Sequence, residues 1–210
     1  YMINKTFNEY FKSYNFHNLY KELLNFCTVE LSAFYFDIRK DLLYCDPKNS
    51  KKRSDCILIL KVILECLLKW FAPILSFTTE EIYHLIYKED KEGSIHLQKF
   101  VKIPDQWRND DLNNKWQKIK LIRDEANISI ETKRAEKIIG SSLEASLKIN
   151  LDKKNLDLVK SVDLAELCIT SSVEVVESNN DQIFVETTKA NGEKCPVCWK
   201  INPNKCPRHD

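Results

Sequence analysis

Four residues near the end of the chain have the types and spacing of a metal site. Lys194-Cys195-Pro196-Val197-Cys198-Trp199 is followed by Cys206-Pro207-Arg208-His209, so a C-x-x-C pair and a C-x-x-H pair are separated by seven residues. Two thiolates at this spacing reach one ion from a single tight turn. A second pair supplies the other corners of the tetrahedron that zinc takes in structural sites. Cys195, Cys198, Cys206 and His209 are therefore candidate ligands of one structural Zn²⁺, with no corner left open for a reactive water. Two other readings use the same residues. A redox C-x-x-C pair belongs between a strand and a helix in a βαβ pattern, whereas this one lies in a polar tail with Pro196, Pro203 and Pro207. Chance clustering of buried thiols needs apolar neighbours, which the tail lacks. His209 is the weakest of the four, because it is the penultimate residue; a ligand from elsewhere, or a water, is the alternative at that corner.

The chain of 210 residues carries 32 Lys and Arg against 31 Asp and Glu. It has no global basic field, so any nucleic-acid contact must come from local patches. The tail is one such patch: Lys194, Lys200, Lys205 and Arg208 stand against Asp210. Cys27, Cys45, Cys56, Cys66 and Cys168 sit in apolar or helical surroundings and are expected to be reduced core thiols, which implies a reducing compartment, cytoplasmic or organellar. No signal peptide is visible, and the most apolar stretch, 56–75, is interrupted by Lys61, Glu65 and Lys69, which argues against a membrane span. The first residue, Tyr1, falls within a helical pattern, so a fragment of something longer is expected.

The elements that must position these residues can be read from periodicity. Leu19, Leu23, Phe26, Glu30, Phe34 and Ile38 mark a long helix ending near Asp46-Pro47. A second helix, from about Ser54 to Phe71, is apolar on all sides and is expected to be buried. After Pro73, Thr78 with Glu81 forms a capping box for a third helix ending near Lys88. Asp90 to Ser94 is a loop and Ile95-His96-Leu97 a short extended piece. A fourth, charged helix spans about Asp110 to Ile138, with Trp116, Ile119, Ile122, Ala126 and Ile130 on a narrow apolar face. These helices make residues 1–138 an antiparallel bundle. Residues 139–190 read as a small α/β module. Ala145, Leu147, Ile149 and Leu151 alternate on one strand, a short helix covers 153–161, and 168–170, 173–176 and 183–185 are rich in β-formers. Lys189 to Gly192 is the linker into a zinc-binding tail, 191–210. The expected fold is mainly α: a helical bundle, a small α/β module and a metal knuckle.

Four segments then bring in a resemblance. Phe71-Ala72-Pro73-Ile74-Leu75-Ser76-Phe77-Thr78-Thr79-Glu80-Glu81 resembles the "APxxPFxxEE" segment of class I aminoacyl-tRNA synthetases. Phe34-Tyr35-Phe36-Asp37-Ile38-Arg39-Lys40-Asp41-Leu42-Leu43-Tyr44 is similar to "FYLDIIKDRLY" of the isoleucyl type. Ile139-Gly140-Ser141-Ser142-Leu143-Glu144-Ala145 resembles "IGxSLEA", and the tail resembles "KCxRCW…CxRC" of the bacterial isoleucyl type. Together they cover about residues 30 to 210. The chain departs from the family in three ways. The "HIGH" and "KMSKS" signatures and the editing domain are absent, His209 stands where the family usually has Cys, and Val197 stands where it commonly has Arg.

The resemblance implies the C-terminal part of an enzyme that activates isoleucine with ATP and transfers it to tRNA(Ile). It also implies that ATP is used by the parent enzyme and not bound here, the catalytic and editing domains lying outside this chain. Nothing in the sequence itself does that chemistry. No Gly-rich phosphate loop occurs, His17, His84, His96 and His209 are scattered, and no nucleophile motif is present, so no catalytic residue is assigned. The bundle is implied to be of the anticodon-binding type, with the anticodon stem-loop of tRNA(Ile) as partner, and neither DNA nor a membrane. Loop bases stack on aromatics while Lys and Arg take phosphates. The candidate RNA contacts are Arg123, Lys133, Arg134 and Lys137 on the charged helix, and Trp199, Lys200 and Arg208 on the tail. Interleaved Glu125, Glu131 and Glu136 make a merely solvated face the alternative for the helix. Trp199 could instead lid the metal. A free-standing zinc-stapled RNA-binding or protein-interaction domain is the alternative for the whole.

Overall fold

The computed structural model describes residues 1–88, 92–180 and 182–209, and the chain divides into two compact units, Tyr1–Arg108 and Asn109–Asp210.

The first unit is helical. Helix α1 (Met2–Lys12) leads into α2 (Phe16–Asn25), whose first turn is capped by Asn15 accepting the Asn18 N–H. A π-helical stretch (Phe26–Phe36) and α3 (Asp37–Cys45) continue the same rod. The expected long helix is present, but its middle is wound wider than α. The wider turn moves the buried position on by one residue: Leu31 is buried where the α-period had pointed to Glu30. Helix α4 (Lys51–Phe71) starts on Ser50, whose side chain accepts the Arg53 N–H. The sequence marks α4 as buried all round. Instead it buries Cys56, Cys66, Leu68 and Trp70 and exposes Leu58, Ile59 and Leu64, because neighbouring helices cover only one side.

Helix α5 (Ser76–Ile86) begins before Thr78, so the expected capping box does not form and Leu75 occupies the cap position. The hydroxyls of Ser76 and Thr79 donate backward to the carbonyls of Ala72 and Leu75, which lets the chain rewind directly after the Pro73 turn. Ile95–Leu97 is a 3₁₀ turn rather than an extended piece. The Glu80 carboxylate fixes it by accepting the Ser94 hydroxyl and the Ile95 N–H, each at 2.9 Å. Of the loop expected at 90–94, Asp90 and Lys91 lie outside the described residues. The core gathers Phe7, Leu19, Leu23, Cys66 and Trp70, and the Trp70 indole N–H donates to Asn4 Oδ1 at 3.0 Å. A fully buried side chain of this size contributes about 1.5–3 kcal/mol.

The second unit is a helix on a sheet. Helix α6 (Asp110–Ala135) is capped by Asn109 and buries Ile119, Ile122, Ala126 and Ile130 of the stripe read from the sequence, while Trp116, its first member, is only half-buried. Strand β1 (Ala145–Leu151) buries Ala145, Leu147, Ile149 and Leu151, as the alternation predicts. It pairs in parallel with β2 (Ser172–Glu177) and antiparallel with β3 (Phe184–Lys189), giving the order β2-β1-β3; Leu147 lies opposite Val173 and Thr187. Short helices α7 (Lys153–Val159) and α8 (Leu164–Leu167) connect β1 to β2. Strands β4 (Glu193–Lys194) and β5 (Ile201–Asn202) form a separate ribbon.

Two readings change here. The sequence puts a boundary at 138, after the charged helix, but the compact units divide before it, at Arg108/Asn109. The physical reason is α6's narrow stripe. Ser129 on that helix also donates to the Val185 carbonyl at 3.0 Å and meets the Thr187 hydroxyl at 2.7 Å, both on β3. Residues 168–170, expected as strand, instead close α8. Ile169 sits at φ 55°, its N–H bonding to Glu166 and that of Thr170 to Ala165. Tyr14 (φ 57°) and Lys137 (φ 58°) close α1 and α6 in the same way. These are Schellman closures without glycine.

Candidate functional site

Gly192 starts the tail. Its φ of +123° suits glycine alone, and a Cβ there would lie 2.0 Å from the Asn202 carbonyl oxygen. The chain can thus turn tightly into β4, cross the first Cys pair and return along β5. Within the turn the Cys195 N–H donates to the Lys200 carbonyl at 2.9 Å, and the Trp199 N–H to the Cys195 carbonyl at 3.0 Å. The turn closes only because Trp199 adopts φ 65°, a left-handed conformation. Ser171, at the start of the β2 segment, holds the ribbon by accepting the Ile201 N–H at 2.7 Å.

The turn brings the four candidate ligands together. The three Sγ atoms and one histidine nitrogen all lie within 4.8 Å of one another. Cys198 Sγ is 3.8 Å from Cys206 Sγ, and His209 Nδ1 is 3.5 Å from Cys195 Sγ and 3.4 Å from Cys206 Sγ. A regular tetrahedron with metal–sulfur bonds near 2.3 Å and metal–nitrogen bonds near 2.05 Å has edges of ~3.75 Å (S···S) and ~3.55 Å (S···N). The group therefore has the dimensions to hold one metal ion, and His209 supplies the fourth donor through Nδ1. All eight cysteines are free thiols, and Cys56, Cys66 and Cys168 are buried as expected, while Cys27 and Cys45 are only half-buried.

The electrostatics of the two leading sulfurs differ. The Cys198 and Val197 N–H groups point at Cys195 Sγ and pull its thiol down to about 6. Burial pushes Cys198 up to about 11. A cation between them would be the group that makes both thiolates.

The candidate RNA contacts fall into three situations. Trp199 is 59% exposed, and Lys194 Nζ sits over its ring at 5.8 Å. Lys200, next to Trp199 in sequence, and Arg208, nine residues on from it, are half-buried. Lys133 and Arg134 stand at the end of α6, each ion-paired along the helix, with Glu136 at 2.8 Å and Glu131 at 2.6 Å. Lys137 follows, and a cleft of about 480 Å³ is lined by Arg134, Lys137 and Gly140 among others. Arg123 is elsewhere: its Nε donates to the Leu167 carbonyl at 3.0 Å, pinning α8 to α6. His84 pairs with Glu80 at 3.1 Å on the surface of α5.

Glu144 is the residue that sequence reading left unassigned. Its carboxylate accepts the Gly140 N–H at 2.9 Å and reaches Lys194 at 3.8 Å. The Gly140 N–H, then Lys194, hold it below the usual carboxylate range. A chain of contacts thus runs from Gly140, in the loop after α6, through Glu144 and Lys194 to Trp199. Its sequence signal was the Glu of the "IGxSLEA" segment.

With the geometry in place, comparison with known proteins defines the class. Residues 2–149 match the family described as the anticodon-binding domain of tRNA ligase, and the chain belongs to that family. Curated relatives narrow it. The chain is similar to isoleucine–tRNA ligases of Pelagibacter ubique (63% identical over 209 residues, 100% of this chain), Agrobacterium fabrum (39%, 95% of this chain) and Methylacidiphilum infernorum (38%, 99% of this chain). It spans 23%, 22% and 23% of the length of these relatives. The three relatives are thus ligases of one kind, and the chain matches a single region of each. No helix among the described residues is long and apolar enough to cross a membrane.

Proposed function

We propose that this chain holds the anticodon stem-loop of tRNA(Ile) for a ligase that activates isoleucine with ATP and whose catalytic and editing domains lie outside these residues. The observation that carries the reading is Trp199: a large aromatic, exposed, held beside a metal-sized ligand cluster, with Lys194 over its ring and Glu144 tying that lysine to the Gly140 loop that follows α6. An exposed ring with a lysine over it suits an unstacked loop base, and Lys200 and Arg208 of the same tail offer phosphate contacts. Lys133, Arg134 and Lys137 offer a second set of phosphate contacts. Their pairs with Glu131 and Glu136 are surface pairs of small worth, so exchange for a phosphate costs little. Arg123 acts as a pin between helices.

The ion is zinc in this reading. Three soft thiolates and an imidazole at tetrahedral distances favour it, and four filled corners assign it a structural role. Free thiols throughout support a reducing compartment such as the cytoplasm. The test is tRNA binding by the metal-loaded Trp199→Ala variant. We expect a loss of roughly 1–3 kcal/mol, the worth of one stacked base. Unchanged affinity with metal retained would remove Trp199 from the RNA surface. Titration across salt tests the phosphate contacts, because a purely structural domain gives no salt slope.

A further inference from the structure

Phe100 and Trp107 belong to a segment that the metal centre does not explain. Residues 99–103 run past α4 without joining any sheet. Among the described residues their backbone N–H and C=O groups pair with no other backbone group. Val101 and Ile103 pack against the core cluster of the first unit, and the Phe100 ring meets those of Phe7 and Phe11 at 5.0 and 4.7 Å. The segment is therefore anchored, although its backbone hydrogen-bonding capacity is unspent. Between it and α4 lies a groove of about 800 Å³. Three lysines, Lys69, Lys99 and Lys102, line it against one acidic residue, Glu65, which is itself tied to Lys69 at 2.7 Å. Neither Lys99 nor Lys102 forms an ion pair among the described residues. At one end Trp107 is 57% exposed, on a 3₁₀ turn fixed by its N–H to the Pro104 carbonyl at 3.0 Å.

We propose that this groove takes unpaired nucleotides of RNA, as a contact surface separate from the metal-bearing tail. Trp107 supplies a face for a base. Lys99 and Lys102 take phosphates. The free backbone groups of 99–103 are placed to bond base edges, which in single-stranded RNA are exposed. A protein helix laid in the same groove would leave two lysines and a row of backbone groups facing apolar surface, which is unfavourable. The inference rests on the RNA-binding reading above, and the family match at 2–149 spans nearly all of the first unit as well as α6.

The experiment measures binding of a tRNA(Ile) transcript to the metal-loaded chain. Trp107→Ala should weaken it roughly tenfold, and Trp107→Phe should retain most of the affinity. Lys99→Ser with Lys102→Ser should reduce the slope of log K against log salt by about 1.4, the value for two phosphates of a single strand. Melting temperatures should match the parent chain, because these side chains are exposed. Unchanged affinity and slope in both variants, while Trp199→Ala still weakens binding, would overturn this groove and leave the tail reading standing. If all of them bind unchanged, the RNA-binding reading falls as well. Protection of the groove by a protein ligand but not by the transcript would also overturn it.

Discussion

Trp199 holds the least comfortable backbone angle in the metal turn. The left-handed region at φ 65° suits glycine, and a larger residue there costs on the order of 1 kcal/mol or more. The ring is more than half exposed and meets Lys194, so little burial offsets that cost. Trp199→Gly separates the backbone angle from the side chain. It should hold metal at least as tightly as the parent chain, measured by competition with a chromophoric chelator, and should bind tRNA about as weakly as Trp199→Ala. Metal loss in Trp199→Gly would show that the ring supports the centre instead. Of this arrangement the sequence showed the ligand spacing but not the angle. Tyr14, Lys137 and Ile169 were hidden for the same reason: each closes a helix at positive φ where the usual marker, glycine, is absent.

At the scale of elements, the ribbon β4–β5 and the Gly140 loop that follows α6 are joined by one carboxylate. Glu144 accepts the Gly140 N–H and reaches Lys194, and its folded pKa lies below the ordinary 4.5. A depressed carboxylate pKa adds stability above its unfolded value and loses it as pH falls through the folded value. Glu144→Gln should therefore lower the urea midpoint of this unit at pH 7. The gap between variant and parent should close on acidification below the carboxylate range. An equal gap at pH 7 and at pH 3 would show that shape, not charge, holds the joint. Helix α6 itself was legible to the residue on its buried side, because Ile119, Ile122, Ala126 and Ile130 repeat at helical spacing. Its partner was not legible: a stripe that fits a helix bundle fits a sheet equally well, and only the contacts of Ser129 with β3 decide between them.

For the whole molecule, the two compact units give different expectations for metal removal. The helices of the first unit close their own core around Phe7, Leu23 and Trp70, with no metal ligand in it. Chelation should release the tail, seen as loss of Trp199's environment in fluorescence, and leave most of the helical circular dichroism. Collapse of the helical signal on chelation would sink that division. The sequence by itself determined what depends on local spacing: the four candidate ligands, most of the α6 stripe, the alternation of β1 and the segments that resemble isoleucine–tRNA ligases. Ligand types two residues apart and apolar residues three or four apart constrain geometry within one turn, so they need no tertiary context. The tertiary structure alone decided which element covers which. It placed α6 on a sheet, widened the helix at Phe26–Phe36, started α5 before Thr78, tied Arg123 to a carbonyl and opened a groove beside Trp107. Each of these is a competition between distant surfaces for the same apolar area or the same backbone donor, and local sequence does not encode the outcome.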